Sequence, residues 1–231
     1  MVPQSKGKMF LSDERGLSEL EWFRSYSTFN FGRYYNEHKT PFGALYVLNE
    51  DTLAEGCGLT MEVEHVTHVI LIPVVGAVSW KTKHNDEDGV VEAGQAQVLS
   101  LCSGASLAIA NPYADTLVRY LQLWIKTPGD APEKAHRLFS FSIDERKSTL
   151  VEAFSHFSFK GMIGKFAGRE EAAYASSRPG NGLFAFVLQG AFEVQYRLLH
   201  AGDGLALWDL YEIELEALSN DGIILIVEVP V

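Results

Sequence analysis

The side chains best suited to chemistry in this chain are carboxylates and imidazoles gathered in Met61-Glu-Val-Glu-His-Val-Thr-His68. Glu62, Glu64 and His68 have one parity, so on an extended chain they share a face as a Glu-x-Glu-x-x-x-His set. Carboxylate and imidazole ligands of this kind suit Fe, Mn or Zn. Periodicity taken alone favours a different outcome, with Met61 and Val63 inward and both glutamates in water. His65 reads as a surface or hydrogen-bonded histidine. His84 stands in a charged, hairpin-like loop, Lys81 to Gly89, whose acids lack EF-hand spacing and read as a solvated turn. Cys57 and Cys102 form no CxxC or Cys/His cluster, which argues against a structural zinc site or a disulfide scaffold. Both read as small buried hydrophobes in a reduced, cytoplasmic protein. Serine-hydrolase, phosphate-loop and dinucleotide fingerprints are missing.

The elements that must position these residues are strands. Short apolar or alternating runs separated by Gly, Asn and Asp recur along the chain, as in β-sandwiches and barrels. Phe192 to Leu198 and Tyr211 to Ala217 alternate cleanly and predict strands with one wet face. Leu117 to Ile125 and Ile223 to Val227 are apolar throughout, which predicts strands covered on both sides. Asp144 to Phe154 reads differently, with Leu150, Val151 and Phe154 at helical spacing after the linker-like Thr127-Pro-Gly-Asp-Ala-Pro132. The Gly-Ala pairs at 76–77 and 190–191, each followed by an Ala-Gly at 93–94 and 201–202, point to a β-unit duplicated at an interval of about 110 residues.

Composition narrows the function classes. The 231 residues carry a formal net charge of −11, which repels phosphate backbones and anionic membrane surfaces, so no direct nucleic-acid or membrane partner is expected. The best apolar run, Val69 to Val78, is too short to span a bilayer, and the first sixteen residues carry no apolar signal segment.

Ser27-Thr-Phe-Asn-Phe-Gly-Arg-Tyr-Tyr35 and Phe42-Gly-Ala-Leu-Tyr-Val-Leu-Asn-Glu-Asp51 resemble the N-terminal signature of the pirin family, which reads much like HTFSFGxYY followed by FGxLRVLNDD. The resemblance continues through Met61, Gly76-Ala77, Ser103-Gly104, Asn111-Pro112, Leu121 to Ile125 and Ala201 to Leu207. It implies an all-β bicupin: two jelly-roll β-barrels packed face to face, over about 20–127 and 135–231. Some pirins cleave flavonols such as quercetin, and one is a nuclear transcriptional coregulator. Their chemistry rests on one metal, usually iron, held in the N-terminal barrel by a His-x-His pair and a His-x-Glu pair.

This chain departs from that pattern at every ligand position, with Glu62 and Glu64 for the first pair and Leu107 and Ile109 for the second. The resemblance implies that all four side chains, with His68, line the N-terminal cavity. Two carboxylates among hydrocarbon would then share a proton, recruit His68 or hold a cation. Because Leu and Ile ligate nothing, no metal or other cofactor is favoured. The expected function is a non-oxygenase that binds a small molecule or a protein partner through this cavity. A quercetinase-like dioxygenase with a rearranged Glu62, Glu64 and His68 site is the enzyme alternative, and a ligand-free interaction module is the structural one.

Overall fold

A computed structural model describes residues 5–83, 86–127 and 136–231. The strands, in chain order, are β1 (Gly7–Phe10), β2 (Gly16–Glu19), β3 (Phe23–Ser27), β4 (Leu45–Leu53), β5 (Gly58–Glu62), β6 (Thr67–Val75), β7 (Ala77–Thr82), β8 (Glu87–Glu92), β9 (Gln95–Leu101), β10 (Ser106–Ala110) and β11 (Val118–Lys126). They continue as β12 (His136–Ser140), β13 (Val151–Ser155), β14 (Lys160–Phe166), β15 (Glu171–Ala175), β16 (Asn181–Gln189), β17 (Ala191–Val194), β18 (Arg197–His200), β19 (Gly204–Leu207), β20 (Glu212–Ala217) and β21 (Gly222–Pro230). Apart from one short 3₁₀ turn at Ser12–Glu14, the regular structure is strand. No helix among the described residues is long and apolar enough to cross a membrane.

Two compact units emerge. One is Gly16–Ser140, and the other joins the residues up to Arg15 to Phe141–Val231. Each is a pair of antiparallel sheets. In the first unit the order is β12-β9-β6-β11-β4-β3-β2 over β5-β10-β7-β8; in the second it is β1-β19-β16-β21-β14-β13 over β15-β20-β17-β18. From β3 to β11, adding ten to a strand's number gives its counterpart in the second unit, so the Gly-Ala echo marks a real duplication of topology. Gly76 and Gly190 open the equivalent β6–β7 and β16–β17 turns at φ 78° and 79°, and Gly94 and Gly202 serve the next pair at 83° and 86°. That left-handed backbone favours glycine.

The unit boundaries differ from a simple cut at the proline-rich linker, most of which lies outside the described residues, as does His84. β12 follows that linker yet pairs with β9 of the first unit, while β1 precedes the first unit and pairs with β19 of the second. Pro and Gly punctuate a chain without saying which sheet the next strand joins.

Two local expectations fail for physical reasons. Asp144 to Phe154 forms no helix: Val151 to Ser155 is a strand on β14, and Ala153 and Phe154 are fully buried. Tertiary burial has overridden a short helical pattern. Phe192 to Leu198 is a hairpin, not one strand, because Gln195 and Tyr196 turn the chain at φ 47° and 60° between β17 and β18. Positive φ at both central residues is the type I′ requirement, normally met by Asn-Gly. Tyr196→Gly is therefore expected to raise stability by about 0.5–1 kcal/mol in urea unfolding, through relief of left-handed strain at a half-exposed position.

Candidate functional site

In the first unit the β5–β10 register decides which side chains meet. Glu62 lies opposite Ser106, Met61 opposite Leu107 and Leu59 opposite Ile109. Directly opposed residues share a face, so Leu107 and Ile109 project with Met61 and Leu59, while Glu62 takes the other side. Leu107, Ile109 and Val63 are all 0% exposed, whereas Glu62, Glu64 and His65 are exposed. Backbone bonds pin the segment after β5: Val63 N–H donates to Ala105 O at 2.9 Å, and Gly104 N–H to Val63 O at 2.7 Å. The inward placement of the glutamates implied by the pirin resemblance is thus corrected. Two unpaired carboxylates beside Leu107 and Ile109 would cost several kcal/mol, and the outward register avoids that cost.

His68 goes elsewhere again. Its β6 neighbours Val69 and Leu71 belong to the barrel core, so its own side chain lies on the opposite face of the seven-stranded sheet. It is fully buried, with Nδ1 2.9 Å from Ser100 Oγ. Glu62, Glu64, His68, Leu107 and Ile109 therefore form no common cavity. Among the described residues no three His, Cys, Asp or Glu side chains stand together as a metal-holding group, and the side chains at the expected locus do not fit a metal. The cysteines are free, and both are half-buried rather than core residues.

The polar groups inside the first barrel are different ones. Along β4 and β11, Asn49, Asp51, Tyr120 and Gln122 all share the inward face, with Ser25 and Ser27 beside them on β3. Gln122 Nε2 donates to Asp51 Oδ2, and Gln122 Oε1 accepts from Trp124 Nε1 at 3.0 Å. Burial, followed by the charge and hydrogen bond of Asp51, pushes the Tyr120 hydroxyl well above its ordinary value. Ser27, Asn49, Asp51 and Gln122 stand in the segments that carry the pirin resemblance, and Ser25 and Tyr120 lie just outside them. Three polar residues at the inward parity between Val47 and Leu53 and around Tyr120 were the missed signal.

The second barrel buries the carboxylate of Glu228 at its mouth. Glu228 is the seventh residue of β21, as Trp124 is of β11, and it is only 1% exposed. Its oxygens accept from Tyr174 OH at 2.7 Å, Ser177 N–H at 3.0 Å, Ser177 Oγ at 2.9 Å, Ser176 Oγ at 3.1 Å and Asn181 Nδ2 at 3.0 Å. Desolvation opposes ionisation of Glu228, yet the hydrogen bonds from Ser177, Tyr174 and Asn181 outweigh it and hold the carboxyl below its ordinary value. Most of the donors come from the β15–β16 loop, the counterpart of the β5–β6 loop that carries Glu64.

Two stability measurements check these placements. Leu107→Ala is expected to cost about 2–5 kcal/mol, and Glu62→Gln or Glu64→Gln less than about 0.5 kcal/mol, in urea unfolding that is indifferent to chelator. Glu228→Gln presents a donor to donors and is expected to cost about 1–3 kcal/mol near neutral pH. Since the folded carboxyl titrates below its ordinary 4.5, its contribution is present above that value and is lost as the pH falls through the folded pKa. The gap between parent and variant then narrows in acid.

Comparison with known proteins agrees with this architecture. The family profile described as "Quercetinase C-terminal cupin domain" matches residues 159–229. A Pseudomonas aeruginosa protein to which quercetin 2,3-dioxygenase activity is provisionally ascribed is 30% identical over 229 residues, covering 93% of this chain and 96% of that one. The quercetin 2,3-dioxygenase of Escherichia coli K12 is 25% identical over 227 residues, covering 93% and 95%. The solved structure of the E. coli pirin YhhW in complex with nickel(II) superposes with a TM-score of 0.82 at 21% identity, covering 97% of this chain and 99% of that one. With two barrels of one topology, the signature segments near its N-terminus and relatives matched along almost its whole length, this chain belongs to the pirin family of cupins.

Proposed function

We propose that this pirin does not oxygenate flavonols through its first barrel and instead works by binding a small molecule or a protein partner. The observation behind this reading is the division of the family's ligand positions: hydrocarbon at Leu107 and Ile109 inside, carboxylate at Glu62 and Glu64 outside. A metal needs ligands converging on one point, and this register sends them apart. A rearranged Glu62, Glu64 and His68 centre meets the same obstacle, since Glu62 is on the outer face of the four-stranded sheet and His68 on the outer face of the seven-stranded one. Hydrocarbon at Leu107 and Ile109 also turns the reading away from a polar ligand held at the family's metal positions. Binding then falls to outer surfaces and to the second unit, and the −11 charge disfavours nucleic acid as the direct partner.

Quercetin turnover and metal content decide the matter. Protein purified without chelator or immobilised metal, then reconstituted separately with iron(II), manganese(II) and nickel(II), is expected to retain well under one metal per chain and to consume quercetin at the background rate. Metal-dependent turnover above background overturns the reading, and its loss in Glu62→Ala would locate the centre on that face.

A further inference from the structure

At the mouth of the second barrel, beside Glu228, lies a groove of about 320 Å³ walled by Ser176, Arg178, Pro179, Asn181, Leu210 and Tyr211. That volume admits one ring and one small polar group, at the lower end of ordinary ligand sites. We propose that this groove binds a small aromatic monocarboxylate, with its carboxylate on the guanidinium of Arg178 and its ring against Tyr211, Pro179 and Leu210.

Charge is the first argument. Arg178 is half-buried, and among the described residues no carboxylate pairs with it, in a chain whose net charge is −11. Its guanidinium lies over the Phe157 ring at 5.3 Å. A cation–π contact of this kind uses none of the guanidinium N–H groups and leaves them for a carboxylate. The positive field is felt nearby: His156, stacked on Phe159 at 5.0 Å between centroids, is held below the ordinary histidine value by desolvation and by the charge of Arg178. Two acidic side chains could oppose an anion here, and the chain's last residue, Val231, also lines the groove. Asp209, which also lines the groove, is held by Lys6 Nζ at 2.8 Å, and Glu228 is 1% exposed behind its own ring of donors. A dianion such as phosphate would meet more repulsion from these acids than a monocarboxylate does, for a single arginine.

Shape is the second argument. Tyr211, in the groove wall, is 75% exposed, a large aromatic surface to leave in water. The groove is also pre-formed. Ser176 N–H donates to Tyr211 O at 2.7 Å, tying the two walls together, and Asn181 N–H donates to Arg178 O at 3.3 Å. The single hydroxyl proton of Ser176 is shared between Arg178 O at 3.0 Å and Glu228 at 3.1 Å, which ties the loop that presents Arg178 to the buried carboxylate. A loop ordered before binding saves the entropy of ordering it on binding.

This inference stands apart from the reading of the first barrel, and quercetin turnover bears on that reading alone. Its test is titration of the full chain with benzoate, followed by backbone amide NMR shifts, with benzyl alcohol (ring without charge) and acetate (charge without ring) as controls. Benzoate is expected to give saturable shifts at Arg178, Asn181 and Tyr211, and to bind about tenfold or more tightly than either control. Arg178→Ala should weaken benzoate by about tenfold or more, with partial recovery in Arg178→Lys, which keeps the charge but loses the fork. Tyr211→Ala should weaken benzoate and leave acetate unchanged, which keeps the test decisive if Arg178→Ala perturbs its loop. Absence of saturable shifts in the groove, benzoate affinity equal to that of benzyl alcohol, or affinity indifferent to Arg178→Ala would each overturn the proposal.

Discussion

A carboxylate removed from water must be given back what water supplied, and each barrel meets that constraint with its own donors. In the first, the β5–β10 register keeps Glu62 and Glu64 in solvent beside an interior of Met61, Val63, Leu107 and Ile109, while Asp51 on β4 stays buried and accepts from Gln122. In the second, Glu228 stays buried, and hydroxyls, an amide and a backbone N–H take the place of its hydration shell. Neutral donors suffice because each is itself anchored, so little reorganisation is needed to hold the charge. The chemistry available to each barrel follows. The first holds its buried acid, Asp51, against a glutamine amide inside the barrel, and the second rings Glu228 with donors from the β15–β16 loop.

The duplication makes the contrast sharper. Trp124 and Glu228 occupy the same place on β11 and β21, and each faces its own barrel core. In the first barrel that place carries a large indole, bonded through Gln122 to Asp51 and packed edge-on against Phe31 and Tyr46 at 5.8 and 5.9 Å. In the second it carries the carboxylate that organises a loop. One scaffold has diverged into two interiors without changing its strand order, as expected when function resides in side chains at fixed points on a fold.

Much of the strand framework was legible because alternation and turn glycines are local signals. Tyr211 to Ala217 reads as a strand from its own residues, and Gly76 with Gly190 marks the duplication. Where the chain turned without glycine, at Gln195-Tyr196, the alternating pattern ran on through the turn and concealed the hairpin. The site was less legible. Parity says that Glu62 and Glu64 share a face but not which face, since that depends on whether Ser106 or Leu107 lies opposite Glu62, a contact more than forty positions away in sequence. Glu228 sits in an apolar run, while its donors come from residues 174–181, so no local pattern announces their meeting.

The pairing of β1 with β19 has a consequence for how the protein is made. Gly7 lies beside Leu207, and Phe10 packs on Phe184 with ring centroids 5.6 Å apart, so β1 finds its neighbours only about 200 residues later in the chain. During translation the first barrel can close while β1 waits with both edges unpaired, an open template for a neighbouring nascent chain. The basic residues Lys6 and Lys8 flank or lie within that strand, and charge at such a place discourages edge-to-edge association until β19 leaves the ribosome.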